Sequence, residues 1–164
     1  MSSVIVVTGP TGVGKTTVAS EMTEVLEERG VAFGFFDPDA IHFRPVQDGD
    51  RFGMRVWLGA LHAAWPLMEV DRLVVPLVIE ERASAERLVP GSALTIARLT
   101  AVMETIADRI RRREIGAGGD WHLARAQELE EHWRDHPVED FLVDTDGRDV
   151  RSVAVEVLTR SGWI

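Results

Sequence analysis

A glycine-rich segment near the N-terminus, TGPTGVGKTT at residues 8–17, has the residue types and spacing of a phosphate-binding P-loop. Its pattern is Gly9-x-x-x-x-Gly14-Lys15-Thr16. Glycine allows backbone angles that turn consecutive N–H groups toward an anion, the lysine brings positive charge to the β- and γ-phosphates, and the threonine hydroxyl can bind Mg²⁺. The segment therefore predicts binding of ATP and Mg²⁺, with nucleotide contacts from Gly9, Thr11, Gly12, Val13, Gly14, Lys15, Thr16 and Thr17.

Lys15 is unusual in the composition, because it is the one lysine among the 18 lysine and arginine residues of the chain. A compact ammonium on a flexible stem can bridge two phosphates, whereas a planar guanidinium is bulkier and prefers a fork geometry. We expect Lys15 to be catalytic and to face solvent when no ligand is bound. The alternative for the whole segment is a glycine-rich turn between a strand and a helix that binds nothing.

The hydrophobic pattern around this loop predicts alternating strands and helices. Strands are expected at residues 4–8, 31–36, 72–80, 93–99 and 140–144. Helices are expected at residues 15–29, 51–70, 100–114, 121–134 and 150–160, with a flexible break at 115–120. Pro66 should break or kink the second helix, and Pro76 fits poorly inside the third strand.

Alternation of this kind predicts a parallel α/β sheet with right-handed crossovers, in a single domain covering residues 1–164. In such sheets, ligands bind at the carboxyl ends of the strands. Four acidic residues lie at or just after predicted strand ends, namely Asp37, Asp39, Glu80 and Asp144. The predicted elements therefore bring several carboxylates to the edge of the sheet that carries the phosphate site.

The composition is that of an ordinary globular protein, with 45% hydrophobic and 27% charged residues. Cysteine is absent, so disulfides and thiolate metal sites are excluded. The net charge of −9 argues against a nucleic-acid partner, although local arginines could still hold a small anionic substrate. Neither a signal peptide nor a membrane-spanning stretch is evident. We expect a cytoplasmic protein, monomeric or homodimeric, without nucleic-acid or membrane partners.

Nucleotide binding alone does not define a reaction. A GTPase would need an Asn-Lys-x-Asp segment, and this chain has no asparagine and no second lysine. A mechanical ATPase usually needs a longer chain, although Glu80 and Glu81 at a strand end leave that class open. Transfer of the γ-phosphate to a hydroxyl of a small molecule fits best. A nucleoside or nucleotide kinase, and a regulatory protein that binds ATP without phosphotransfer, are the alternatives.

The segment FFDPDAIHF, residues 35–43, places two carboxylates two positions apart after the second predicted strand. Phosphoryl transfer calls for a carboxylate near the acceptor hydroxyl and for Mg²⁺ at the phosphates. We expect Asp39 to orient or deprotonate the hydroxyl and Asp37 to hold a Mg²⁺-bound water, with Thr16 as the other metal contact. The alternative is a turn in which these carboxylates cap the following helix.

The segment RIRRREIGAGGDWH, residues 109–122, combines arginines with glycines. Arg109 and Arg113 lie one turn apart on one helix face, with Arg112 beside them. The glycines that follow could act as hinges, so the segment predicts a lid that keeps water from the phosphates. The alternative is a basic helix end that complements the helix dipole, with Arg112 paired to Asp108.

Four features together resemble the small P-loop kinases, a group that includes shikimate, gluconate and adenylylsulfate kinases and chloramphenicol phosphotransferase. They are GPTGVGKTT, DPD after the second strand, the arginine-rich helix before a short lid, and VDTDGRDVRSVAVEVL near the C-terminus. The resemblance implies the P-loop nucleoside-triphosphate-hydrolase fold, a five-stranded parallel sheet in the order 2-3-1-4-5 with helices on both faces. It also implies an acceptor-side helical segment at about 40–70 and a lid at about 109–122.

The same resemblance implies roles for individual residues. Asp39 matches the aspartate that activates the acceptor, and Asp37 matches its metal-side partner. Arg109 matches the arginine that covers adenine, and Arg112 or Arg113 the lid arginine that reaches the phosphates, with Arg113 taken as catalytic. The loop containing Thr145 and Arg148 matches the adenine-side loop.

The acceptor pocket is less defined by the sequence. With Asp37 and Asp39, we expect Arg44, Arg55 and Glu80 to bind the acceptor. Five arginines lie near the expected crevice and favour an anionic acceptor, namely Arg44, Arg51, Arg55, Arg82 and Arg87. The alternative is that each pairs with a nearby acidic residue. The glycine triplet that follows the third strand of shikimate kinases is absent, so no particular acceptor is implied; a natural product or an antibiotic is one option.

Overall fold

Five parallel strands form one sheet in the computed structural model, which describes residues 1–41, 50–113 and 118–164. The strands are β1 (Ser3–Thr8), β2 (Gly34–Phe35), β3 (Arg72–Pro76), β4 (Ala93–Thr100) and β5 (Phe141–Asp144). Their spatial order is β2-β3-β1-β4-β5, and every neighbouring pair is parallel. The fold class and strand order predicted from the sequence are confirmed.

Helices cover both faces of this sheet. They are α1 (Lys15–Glu28), α2 (Asp50–Ala64), α3 (Arg82–Glu86), α4 (Met103–Arg113), α5 (Gly118–Asp135) and α6 (Val150–Arg160). Successive residues of β1 point to opposite faces. Ile5 and Val7 pack in one cluster with α1 and α6, and Val4 and Val6 pack in another with side chains of α2, α3 and α5. In the described ranges, no helix combines the length and apolar character needed to cross a bilayer.

Proline accounts for two differences between the predicted and observed elements. The third strand was expected to reach residue 80 but ends at Pro76, which lacks the N–H needed to continue a ladder. The second helix ends at Ala64, and a 3-10 turn at Trp65–Leu67 with Pro66 follows it. The second strand is shorter than expected, with only Gly34–Phe35 paired, and α5 begins at Gly118, inside the expected break.

A buried ion network fixes α5 against the sheet. Arg98 of β4 is only 7% exposed and forms ion pairs of 3.0 Å with Glu130 of α5 and 3.1 Å with Glu139. Its guanidinium also lies 5.3 Å from the ring centroid of Trp133, another residue of α5. Removing one partner of such a buried pair costs about 3–5 kcal/mol, because a desolvated charge is left uncompensated. The network therefore holds α5 firmly in place beside the functional edge of the sheet.

Candidate active site

The P-loop connects β1 to α1 through glycines that no other residue could replace without strain. Gly9, Gly12 and Gly14 have φ angles of 139°, 86° and 104°. A β-carbon on Gly9 would lie 2.7 Å from the carbonyl oxygen of Leu99, and one on Gly12 would lie 2.9 Å from a side-chain carbon of Ile110. The loop thus passes close to β4 and α4, and its shape depends on the absence of these side chains.

Lys15 is the first residue of α1, at the end of the helix where N–H groups and the helix dipole favour an anion. It is partly buried rather than solvent-facing as expected, and its ammonium donates a 3.1 Å hydrogen bond to the carbonyl oxygen of Pro10. Burial lowers the pKa of Lys15 to about 8, and the charge of Arg113 lowers it further, while Asp39 and Asp37 oppose the change. A bound triphosphate would favour the charged form.

A cavity of about 500 Å³ opens at the carboxyl ends of the strands. The P-loop and the start of α1 form its floor, and residues from six other parts of the chain form its walls. The residues that line it are Thr11, Gly12, Val13, Gly14, Lys15, Thr16, Thr17, Val18, Asp39, Val78, Arg109, Arg113, His122, Thr145, Arg148, Val150 and Val153. The cavity therefore gathers most of the nucleotide-site residues expected from the sequence, together with Asp39.

One end of the cavity is formed by α4, the loop after β5 and α6. Arg109 of α4 donates hydrogen bonds of 3.0 Å to the carbonyl oxygen of Val13 and 3.2 Å to the hydroxyl of Thr145. Arg148 donates a 2.7 Å bond to Glu156 and lines the cavity beside Val150. Planar guanidinium groups next to valine side chains suit a flat heteroaromatic base, because they offer both stacking and apolar contact.

The two aspartates after β2 occupy different environments. Asp37 accepts a 2.9 Å hydrogen bond from the N–H of Asp39 and so caps the 3-10 turn Pro38–Ala40. Desolvation raises the pKa of Asp37, and the charge of Asp39 adds to the effect, while that backbone hydrogen bond and Lys15 oppose it. The carboxylate of Asp39 is exposed and lines the cavity. The turn-capping alternative thus holds for Asp37, while Asp39 faces the phosphate site.

The donors around the P-loop suit Mg²⁺. Thr16 is exposed and lines the cavity. The hydroxyl oxygen of Thr16 and the carboxylate oxygens of Asp37 are ligands of the kind that Mg²⁺ prefers. Asp37 is not among the residues that line the cavity, although its charge acts on the ammonium of Lys15. Mg²⁺ usually completes its shell with phosphate oxygens and water. Within the described residues, no group of three or more His, Asp or Glu side chains forms a metal cluster.

The three arginines of the predicted lid, Arg109, Arg112 and Arg113, differ in whether they line the cavity. Arg113 lines the cavity together with Arg109, whereas Arg112 is not among the lining residues, although both Arg112 and Arg113 are exposed. The structure therefore favours Arg113 over Arg112 as the arginine at the phosphates. In the alternative interpretation Arg112 pairs with Asp108, but among the described residues it is Arg111 that forms a 3.1 Å ion pair with Asp108. Residues 114–117 of the predicted lid lie outside the described residues.

Glu80, predicted to bind the acceptor, is placed differently. Its carboxylate forms an ion pair with Arg125 of α5, and its carbonyl oxygen lies 3.1 Å from Nε2 of His132. It is not among the residues that line the cavity. The carboxylate at the end of the third predicted strand therefore serves to attach α5, because the chain turns away from the cavity after Val78.

The arginines expected around the acceptor are also largely engaged elsewhere. Arg82 donates to the carboxylate of Asp140 at 3.0 Å, and Arg87 donates to the hydroxyl of Ser84 at 3.1 Å. Arg55 is exposed on α2 and does not line the cavity. Arg44 and the side chain of Arg51 lie outside the described residues. The ion-pair alternative holds for Arg82, so part of the basis for an anionic acceptor is removed.

Five residues that line the cavity were missed by sequence reasoning, namely Val18, Val78, His122, Val150 and Val153. His122 was not among the site residues predicted from the sequence, yet it lines the cavity from α5. Val78 follows β3 and lines the same space. His122 falls inside the predicted lid at 109–122, so its position in that segment was the available signal. Val78 gave none, because a valine after an apolar strand is indistinguishable from a core residue.

Comparisons with known proteins agree with this geometry. A family model described as NTPase matches residues 4–64. No curated protein matches the chain in sequence. A tunicamycin resistance protein from Deinococcus radiodurans superimposes with a TM-score of 0.71 at 23% identity, over 100% of this chain and 98% of that one.

Two further solved structures are similar over nearly the whole chain. A gluconokinase from Sinorhizobium meliloti 1021 gives a TM-score of 0.63 at 24% identity, over 97% of this chain and 93% of that one. A shikimate kinase from Acinetobacter baumannii, in complex with shikimate, gives 0.65 at 18% identity, over 98% of this chain and 93% of that one. At these identities the likeness establishes the fold, which is the one shared by small P-loop kinases.

Proposed function

We propose that the chain is an ATP-dependent phosphotransferase that moves the γ-phosphate to a hydroxyl of a small molecule, with Asp39 as the acceptor base. The observation that carries this proposal is the presence of Lys15, Asp39 and Arg113 in the wall of one cavity. A protein that only binds nucleotide needs the P-loop but does not need an acceptor base. The fold, shared with a gluconokinase and a shikimate kinase, supports the same conclusion.

Each group has a distinct task in this reaction. Asp39 would accept the proton of the attacking hydroxyl, because it is the one carboxylate among the residues that line the described cavity. Lys15 and Arg113 would stabilise the negative charge that spreads over the transferring phosphoryl oxygens. Thr16 and Asp37 would hold Mg²⁺, which would supply positive charge to offset the charge of the phosphates. Arg109 and Arg148 would hold the base at the other end.

The proposed acceptor is a hydroxylated small molecule. An anionic acceptor stays a prediction from the sequence, because Arg82 is paired with Asp140, Arg87 contacts Ser84 and Arg55 does not line the cavity. A similar structure is a tunicamycin resistance protein, so antibiotics belong in any test alongside hydroxylated metabolites. Nucleosides and nucleotides should also be included, because a nucleoside or nucleotide kinase would share every part of the site except the acceptor pocket.

The decisive experiment is an ADP-release screen with ATP, Mg²⁺ and pooled hydroxylated metabolites, nucleosides and antibiotics. We expect one pool to give ADP release that depends on the acceptor and disappears in Asp39→Asn and in Lys15→Ala. Detection of the phosphorylated acceptor by mass spectrometry would complete the assignment. Tight ATP binding by the wild-type protein, with equal background hydrolysis in every pool and in Asp39→Asn, would instead identify a regulatory ATP-binding protein.

A further inference from the structure

His122 is the one residue of α5 whose side chain lines the described cavity. The other charged or titratable residues that line it come from the P-loop, the turn after β2, α4 and the loop after β5. The ring of His122 meets the exposed ring of Trp121 edge-on, with centroids 4.9 Å apart. The helix after the predicted lid thus reaches the proposed reaction site through an imidazole.

Contacts with the segment after β3 fix the position of α5. Arg125 lies one helical turn after His122, on the same side of α5, and pairs with Glu80. The indole N–H of Trp133 donates a 2.9 Å hydrogen bond to the carbonyl oxygen of Ile79. Both contacted residues directly follow Val78, which lines the cavity. His122 is therefore held next to the part of the cavity wall that β3 contributes.

The sheet order shows which end of the cavity this is. β3 pairs with β2, which leads to Asp39, whereas Thr145 and Arg148 follow β5 at the opposite edge of the sheet. Through Arg125, Glu80 and Val78, His122 is linked to the side of the sheet that leads to Asp39, where phosphoryl transfer would occur. Imidazole can donate an N–H to a phosphate oxygen, and hydrogen bonds to charged acceptors are stronger than neutral ones.

We propose that His122 contacts the γ-phosphoryl group of ATP, and that the Glu80–Arg125 pair positions it for that contact. The proposal rests on the proposed function, since it assigns a role within the same site. Lys15 and Arg113 are the basic residues nearby in the cavity wall, and Asp39 is the acidic one. His122 adds a hydrogen-bond donor from a separate helix, α5. The position of α5 would therefore affect how strongly the site prefers a triphosphate to a diphosphate.

The test compares binding of ADP with binding of the imido analogue of ATP, both with Mg²⁺, by calorimetry. We expect His122→Ala to weaken binding of the analogue about tenfold and binding of ADP by less than twofold, because only the analogue carries the γ-phosphoryl group. His122→Gln keeps an N–H donor and should recover most of the loss. His136→Ala is the matched control, since His136 follows the end of α5 and its ring stacks on His132.

The positioning role of Glu80 has its own readout. Glu80→Gln should weaken binding of the imido analogue about threefold in the wild-type background. It should have no further effect on that binding in the His122→Ala background. A loss for both nucleotides alike, or equal losses in the two backgrounds, would assign the ion pair to stability only. Thermal unfolding of each variant separates loss of folding from loss of contact.

The outcomes also separate the two proposals. Failure of the wild-type protein to bind either nucleotide would overturn the proposed function itself. Normal binding by the wild-type protein, with the same ratio of the two affinities in His122→Ala, would overturn only the role of His122. A changed ratio in His136→Ala would likewise contradict it, because that ring is outside the cavity.

Discussion

Arg109 donates a 3.0 Å hydrogen bond from its guanidinium to the carbonyl oxygen of Val13, so helix α4 is tied directly to the P-loop. The same nitrogen reaches the hydroxyl of Thr145, which in turn donates to the carbonyl oxygen of Thr100. One side chain therefore sets the distance between the phosphate loop and the loop after β5. These hydrogen bonds of Arg109 hold together α4, the P-loop and the loop after β5, which line the proposed nucleotide site.

The arginines of α4 should have separable effects. Arg109→Ala should raise the Kd for ATP about tenfold or more, because the wall of the base end loses its support. Arg113→Ala should lower kcat by about 10²-fold, since it removes a cation from the developing charge. Arg112→Ala is the control and should change neither, because Arg112 does not line the cavity. Steady-state kinetics with calorimetry distinguishes the three, and equal effects of Arg112→Ala and Arg113→Ala would contradict the assignment.

Asp39→Asn should lower transfer by about 10²-fold or more while leaving the Kd for ATP nearly unchanged, as expected for a positioned proton acceptor. Asp37→Asn keeps the oxygen that accepts the N–H of Asp39, so the turn should persist. Its expected effect is a higher Mg²⁺ concentration for half-maximal rate. Mg²⁺ titrations of the rate measure both variants, and an Asp39→Asn enzyme with normal turnover would limit both aspartates to capping the turn.

Lys15→Met should stabilise the protein in the absence of nucleotide. Burial lowers the pKa of Lys15 from 10.5 to about 8, so the charged form costs stability in the native state, by at most about 3 kcal/mol. Between pH 8 and 10.5 the unfolded chain binds more protons than the native one, and wild-type stability rises with pH in that window. Urea unfolding should therefore show that the gain in the free energy of unfolding of Lys15→Met over the wild type is complete below pH 8. The gain should disappear as the pH rises toward 10.5. A destabilised variant at pH 7 would contradict this.

The affinity for ATP should fall as the pH rises above about 8. Lys15 loses its proton near that pH in the free protein, and only its charged form attracts the phosphates strongly. The expected slope approaches a tenfold increase in Kd for each pH unit. Lys15→Met should bind more weakly at pH 7 and show a flatter profile, and parallel profiles for the two proteins would assign the titration to another group.

Gly9→Ala should destabilise the protein more than Gly14→Ala, by about 1–3 kcal/mol. Both have positive φ angles, so each substitution carries backbone strain. Only at Gly9 would the new β-carbon also meet an atom, the carbonyl oxygen of Leu99 at 2.7 Å, whereas nothing lies within 4 Å of one on Gly14. Chemical denaturation measures the difference, and equal losses would mean that the backbone angles alone decide the cost.

The sequence by itself determined the parts of the site that are local along the chain. The P-loop spans a few consecutive residues, and its glycines, Lys15 and Thr16 are readable from spacing because the backbone of the same loop forms the site. Alternating apolar segments predicted the strands and helices, whereas the strand order was implied by the resemblance to the small P-loop kinases. Asp39 also followed from its place after a strand, since parallel strands bring their carboxyl ends to one edge.

Only the tertiary structure decided which distant side chains reach that edge. Arg112 and Arg113 are neighbours in sequence, and the rotation of α4 against the P-loop determines that Arg113 faces the cavity. Glu80 follows the third strand, as expected, but its carboxylate pairs with Arg125 of α5 and does not line the cavity. His122 enters the site because α5 docks beside Val78. The direction of a side chain depends on how its helix packs against others, and that packing is not encoded in the spacing of residues along any one segment.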